Sequence, residues 1–295
     1  SYFCFDDLGV PIVALRDAEG QFRAFLNTCA HRAARLVEGC GKLRRGFVCP
    51  YHGFRFDGGG RCVLVPANGS EASVPGAMHT EPLVAREGHG LVWLWHGDPA
   101  GAQGDLPWFG GDALEKKVTA TVEREIPVHY LRVMENATDV HHFPFVHKTL
   151  WPGVGPRVAD FEAHERGHEI TVRGALVRDD PRRGRRWPFE IHLRIPTLAY
   201  FDIVPGIRFV LSATPMDNRR TWLWGRYSQS RIPAGIGGRQ LVRAFGELDF
   251  QWTFVRQDLP TLRSQLLDDP GDVSDYNLIE ADRGVALFFS LRRRL

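Results

Sequence analysis

Two short segments constrain this chain more than any other feature: Cys29-Ala-His31 and Cys49-Pro-Tyr-His52. Each places one thiol and one imidazole close together, and seventeen residues separate His31 from Cys49. Bringing the four groups together requires two loops held side by side, which hairpins on a small β-scaffold provide. The flanks agree. Residues 11–16 and 21–26 are short apolar-rich runs around the turn 17–20, and Phe54-Arg-Phe56, Asp57-Gly-Gly-Gly60 and 62–65 read as another hairpin. Leu91 to Trp95 reads as a final strand.

The donor types leave two chemistries open. A structural zinc ion needs four ligands converging tetrahedrally. A Rieske [2Fe-2S] cluster needs two thiolates on one iron and two imidazoles on the other. Zinc fingers usually pair Cys with Cys and His with His, whereas each loop here is mixed. The other cysteines, Cys4, Cys40 and Cys62, bring the total to an odd five and form no disulfide framework, so a reducing, cytoplasmic setting is expected. The net charge of +2 makes no case for nucleic acid or an anionic membrane as main partner. No apolar run approaches the roughly 18–20 residues of a membrane helix. The start, Ser1-Tyr-Phe-Cys-Phe, carries no signal-peptide pattern and reads as the interior of a longer chain.

A Gly/Pro/Asp-rich linker follows, and then the pattern changes. Residues 118–122 read as a strand. Pro127 sits where a helix can start, and Tyr130, Val133, Met134 and Ala137 recur at helical spacing. The helix is expected to end near His142, because Phe143 precedes Pro144 and is pushed out of the α region. On such a helix Asn136, Asp139 and His142 share a face, so Asp139 can hydrogen-bond the His142 ring and fix its tautomer. The Phe143–Pro144 break then lets His147 converge with His142. Two neutral histidines and a carboxylate on one octahedral face, with positions open for O2 and substrate, make the facial triad of non-haem iron(II) oxygenases. Surface histidines beside a turn are the plain alternative. Runs at 170–177, 190–195, 207–213 and 221–227 alternate apolar and polar residues and read as antiparallel strands. Helical spacing returns over 241–267 through Leu241, Phe245, Leu248, Trp252, Val255 and Leu259, with Pro260 predicting a kink near Arg256.

Cys29-Ala-His31-Arg32 and Cys49-Pro-Tyr-His-Gly53, followed by Phe54-x-Phe-Asp57, resemble the Rieske motif. Ala30 stands where that family usually has Pro, and Phe54 where it often has Trp. Residues 136–147 resemble the mononuclear iron motif of Rieske-type aromatic ring-hydroxylating oxygenases, Asn-x-x-Asp-x-x-His-x4-His. The combined resemblance, to the alpha (oxygenase) subunit, covers nearly the whole chain. Its spacing is similar to the branch of pheophorbide a oxygenase, aminopyrrolnitrin oxygenase and the prodiginine cyclases.

The resemblance implies an α+β architecture. An all-β Rieske [2Fe-2S] domain at 1–97 and a linker at 98–114 precede a helix-on-antiparallel-sheet, helix-grip-like catalytic domain at 115–295. It implies Cys29, His31, Cys49 and His52 as cluster ligands, and His142, His147 and an Asp from a late helix as ligands of a mononuclear Fe(II). Asp258 fits best, with Asp249, Asp268 and Asp269 as competitors. Asn136 and Asp139 fall on the catalytic side, with Asp139 linking His142 to His31 or His52 of the next subunit in a homotrimer. O2 is the co-substrate, and NAD(P)H electrons arrive through a ferredoxin and/or flavin reductase. The implied reaction is hydroxylation, oxidative cyclisation or demethylation of a bulky aromatic or natural-product substrate. His141 is read as structural. The basic run 182–186 is a solvated loop or a dock for an acidic ferredoxin. A Rieske electron carrier without oxygenase activity and a zinc-stabilised binding module remain the competing readings.

Overall fold

The computed structural model describes residues 1–295 except 8, 18–19, 44–45, 96, 110–117, 150–152, 181–185, 205, 230–231, 234, 236, 266–272, 275 and 295. It divides into two compact units, Ser1–Trp108 and Phe109–Leu295.

In the first unit, β1 (Tyr2–Asp7), β2 (Val10–Arg16) and β3 (Phe22–Leu26) form an antiparallel meander. At the predicted turn Asp17 Oδ1 accepts the Gln21 N–H at 2.7 Å, and Gly20 takes φ +81°. The edges are β4 (Cys40–Gly41), paired with β1, and the short strand Pro82–Leu83, paired with β3. A separate small sheet holds β5 (Phe47–Val48), β6 (Arg55–Phe56) and β7 (Cys62–Leu64). After them come β8 (Pro82–Leu83) and the hairpin β9 (Ala85–Gly88)–β10 (Leu91–Leu94). Phe25, Leu36, Phe47, Phe54 and Phe56 close a core that also contains Cys29 and Cys49. Residues 98–108 belong to this unit: Arg86 donates to the carbonyls of Ala102 and Gly104, and Trp108 stacks on His89 at 4.6 Å.

The second unit is one seven-stranded antiparallel sheet with helices against it. Its strands are β11 (Val118–Ile126), β12 (Arg157–Arg166), β13 (Glu169–Val177), β14 (Trp187–Arg194), β15 (Leu198–Val204), β16 (Ile207–Pro215) and β17 (Thr221–Gln229). They run in the order β11-β17-β16-β15-β14-β13-β12, so the first strand pairs with the last. On β11, Val118, Ala120 and Val122 are buried while Thr119, Thr121 and Glu123 are exposed, the period-two pattern of a sheet with one covered face. Strands β12 and β15 were not anticipated. In β12 only Ala163 is buried and charged residues dominate, so an edge strand carries little apolar signal.

Between β11 and β12 the described residues form α1 (Tyr130–Thr138) and α2 (Phe143–Val146). Pro127 does not open α1. His129 caps it from extended backbone, its Nδ1 accepting the Leu131 N–H at 3.2 Å. After β17 come α3 (Gly238–Asp249), a π-helical stretch Phe250–Asp258, and α4 (Leu259–Ser264), with α5 (Arg283–Arg293) at the end. The kink expected near Arg256 is replaced by this wide winding. Leu259 N–H donates five residues back to Phe254 O, and Pro260 needs no donor in the first turn of α4. The stripe Leu241, Phe245, Leu248 and Trp252 faces solvent, at 61%, 44%, 61% and 50% exposure, while Val242, Phe250 and Phe254 go inward. Among the described residues no helix is long and apolar enough to cross a membrane.

Candidate metal centres

The two Cys/His loops share one backbone scheme. Each cysteine N–H donates to the carbonyl five residues on, Cys29 to Ala34 and Cys49 to Phe54, both at 2.8 Å. The N–H four residues on returns to the cysteine carbonyl, from Ala33 at 2.9 Å and from Gly53 at 3.0 Å. The returning residue has positive φ in both loops, +54° at Ala33 and +71° at Gly53. Glycine takes this conformation freely; a non-glycine residue held there marks a loop whose shape is enforced by its surroundings.

This scheme sorts the donors. Cys29 and Cys49 are 4% and 1% exposed, whereas His31 and His52 face solvent. Burial pushes the Cys29 thiol up; N–H groups of His31 and Arg32 directed at its sulfur pull the other way, and contact with Cys49 adds to the rise. The rings of His31 and His52 lie 4.8 Å apart, and Phe54 stacks on His31 at 4.7 Å and 6°. Among the described residues the only three donors within 4.8 Å of one another are elsewhere, in the second unit. A single tetrahedral ion needs ligand atoms about 4 Å apart or less. Paired inner thiols and paired outer imidazoles are the donor arrangement of a two-iron cluster.

In the second unit, α1 ends at Thr138, four residues short of the expected end. Asp139 has left helical winding (φ −76°, ψ 128°), His142 precedes α2, and His147 follows it. Asn136, Asp139 and His142 therefore do not share one helical face. The cause is local: Asp139 Oδ1 accepts the His141 N–H at 2.9 Å, an Asx turn that ends the helix. Pro144 is accommodated in the first turn of α2 rather than breaking the chain. Asp139 Oδ2 still lies 3.2 Å from His142 Nδ1, but without the alignment of the expected hydrogen bond. Burial works against the Asp139 charge, but His142 and His141 together hold its carboxyl below the usual range.

His142, His147 and Asp258 bring their ligand atoms within 4.8 Å of one another. Asp258 Oδ1 is 3.2 Å from His147 Nε2 and 3.6 Å from His142 Nε2. It is buried without a hydrogen-bond partner. A carboxylate oxygen in that position is costly unless a cation sits against it. Two imidazoles and one carboxylate are the donor set of non-haem iron(II), so these residues fit the implied metal.

Of the competing carboxylates, Asp249 is engaged elsewhere, accepting Tyr227 OH at 2.7 Å and Thr253 Oγ1 at 3.0 Å. Asp268 and Asp269 lie outside the described residues, as do Trp151 and most of the basic run 182–186. Gln257 went unrecognised in the sequence. Its Oε1 holds His147 Nδ1 at 2.7 Å, leaving Nε2 to face Asp258, and its Nε2 donates to Thr149 Oγ1 at 3.3 Å. Burial lowers the His147 pKa, while Asp258 and Gln257 raise it, with a net rise. A cavity of about 350 Å³ borders the triad, with Asn136, Asp139, His142 and Asp258 on its wall beside Leu262 and Leu278.

Residues 3–77 match the Rieske [2Fe-2S] domain. The oxygenase component of dicamba O-demethylase from Stenotrophomonas maltophilia is 35% identical over 144 residues, covering 48% of this chain and 41% of that protein. The chloroplastic protein TIC 55 of Arabidopsis thaliana is 33% identical over 138 residues, 46% of this chain and 25% of its own. The matched stretches thus span less than half the length of these curated relatives. The crystal structure of dicamba monooxygenase bound to 3,6-dichlorosalicylic acid superposes with a TM-score of 0.74 at 20% identity, covering 99% of this chain and 93% of that one. An all-β first unit with a thiol-in, imidazole-out loop pair, a helix-bearing antiparallel sheet behind it in sequence, and these matches show that the chain carries a Rieske [2Fe-2S] domain and shares its fold with dicamba monooxygenase.

Proposed function

We propose that the chain is the oxygenase component of a Rieske non-haem iron system, using O2 and NAD(P)H electrons delivered by a separate ferredoxin and/or flavin reductase. The observation that carries this reading is the His142–His147–Asp258 triad with its unpartnered buried oxygen, in a chain that also has a Rieske domain. Cys29, Cys49, His31 and His52 hold the cluster; His142, His147 and Asp258 hold the mononuclear iron. When bound, the cluster supplies single electrons and the ferrous ion activates O2. The protein's own part is positional. Gln257 sets the His147 ring, Asp139 sets His142 from its free nitrogen, and Asn136, Leu262 and Leu278 shape the space beside the metal ligands.

The substrate class is a bulky aromatic or natural product. The cavity volume of about 350 Å³ lies at the lower end of the ligand-pocket range of roughly 300–1,000 Å³. The relative named as a dicamba O-demethylase supports an aromatic substrate, with demethylation beside hydroxylation and oxidative cyclisation as outcomes. Asp139 links subunits for electron transfer in a homotrimer, and the free cysteines fit a reducing compartment such as the cytoplasm.

Purified protein with an NADH-driven reductase should consume O2, elute at the mass of three chains, and show a red-brown spectrum. A coloured protein with no O2 consumption would favour the electron carrier, and a colourless zinc protein the binding module. Asp139→Asn should retain both metal centres and lose about 100-fold in turnover; wild-type turnover would remove Asp139 from the electron path.

A further inference from the structure

Asp139 is held from two sides. Its Oδ2 faces His142 Nδ1 at 3.2 Å, and its Oδ1 accepts the His141 N–H at 2.9 Å and lies 3.4 Å from His141 Nε2. The same Nε2 is 2.7 Å from Asp282 Oδ1. The one Nε2 hydrogen goes to Asp282, the nearer carboxylate, and Asp139 lies beside that ring nitrogen at ion-pair distance. Asp282 is pinned in turn: its Oδ2 accepts the Ile279 N–H at 2.9 Å at the entrance to α5, which packs on α1, β12 and β13. The segment is fastened at its other end as well. Tyr276 OH donates to Glu135 Oε2 at 3.3 Å, and Glu135 is bonded to the buried Arg132 at 3.0 Å. Residues 276–282 are therefore tied to the α1–α2 region at two points, one on each side of Asn136 and Asp139.

We propose that His141 and Asp282 are a positioning pair for Asp139, forming the series Asp282–His141–Asp139–His142 that aims the Asp139 carboxylate at the free nitrogen of an iron-ligating histidine. The proposal rests on the iron reading above, and it gives His141 a role that is neither ligand nor simple packing. A carboxylate can orient a ligating imidazole only if its own rotation is restrained, and groups that orient metal ligands typically matter tenfold to hundredfold in affinity or activity. The side chains of His141 and Asp282 are 34% and 16% exposed. Asp282→Asn keeps an oxygen for the Ile279 N–H, so its effect should be read at the metal, with the melting temperature recorded beside it.

The test uses the full chain with its cluster intact and the mononuclear site stripped of iron, titrated with Co(II), followed by steady-state kinetics after iron reconstitution. His141→Ala and Asp282→Asn should each weaken Co(II) binding and lower kcat about tenfold, with KM, Tm and the cluster spectrum near wild type. The double variant should be no worse than either single one, because the groups act in series. His141→Gln, whose amide can still donate to Asp282, should recover most of the loss. Wild-type Co(II) affinity and kcat in both single variants would overturn the proposal, as would additive losses in the double variant or a matching fall in Tm that Gln does not rescue. If the wild-type protein binds no Co(II), the iron reading fails and the proposal with it; if it binds Co(II) and the variants do too, only the proposal fails.

Discussion

The first unit takes all four candidate cluster donors from residues 29–52, whereas the triad of the second unit joins His142 and His147 to Asp258 from a helix that follows six further strands. The loops are self-contained: each closes on its own cysteine through two backbone hydrogen bonds, so their geometry depends on local chain and a small core. The triad depends on an Asx turn, a four-residue helix and a π-helical stretch packed on a large sheet. The two sites should therefore fail differently. Damage to a loop should cost the cluster and the stability of its unit, while damage to the triad should cost metal with little loss of fold.

Cys49→Ser should break the comparison hardest. With a buried thiol gone from the loop core, the red-brown spectrum should vanish and turnover fall to background, while Co(II) still binds the second unit. Loss of Co(II) binding too would show that the sites are not independent. Asp258→Ala should leave the Rieske spectrum intact, cut mononuclear iron occupancy more than about tenfold and turnover at least about 100-fold. Compared in the iron-free state, its Tm should hold or rise, because an unpartnered buried carboxylate is removed. Full iron and activity in that variant would remove Asp258 from the ligand set. Gln257→Leu should keep the fold and weaken metal binding about tenfold, read by Co(II) titration, since it deletes the hold on His147 Nδ1 together with the longer bond to Thr149. The smallest functional effect is expected from Gly46→Ala in the first unit. Gly46 has φ +99°, and a Cβ there would lie 1.9 Å from Phe56 O. It should destabilise that unit by about 2 kcal/mol in a thermal melt and leave the Co(II) affinity of the second unit unchanged.

The same contrast explains what could be read without coordinates. Cys29, His31, Cys49 and His52 were legible as candidate donors because they lie in two short segments with turn residues between apolar runs. His142 and His147 were legible as a pair. The helix assumed to carry Asp139 and His142 on one face was not there, because an aspartate that bonds the backbone two residues on ends helical winding whatever the spacing suggests. Asp258 was singled out by family resemblance, since helical periodicity does not distinguish it from Asp249. Periodicity over Leu241 to Trp252 found the helix but not its orientation, because the stripe that reads as a core face is the exposed one. Gln257 and the His141–Asp282 pair were invisible for a different reason: each acts across a contact between elements far apart in the chain, and no local pattern encodes such a contact.

The central claim is that one chain holds a two-iron cluster and, separately, a single iron. Iron, zinc and acid-labile sulfide counted per chain in purified wild-type protein test it most directly. About three irons and about two sulfides with no stoichiometric zinc are predicted. Two irons with two sulfides would contradict the triad as an iron site, and one zinc with no sulfide would contradict the account of both.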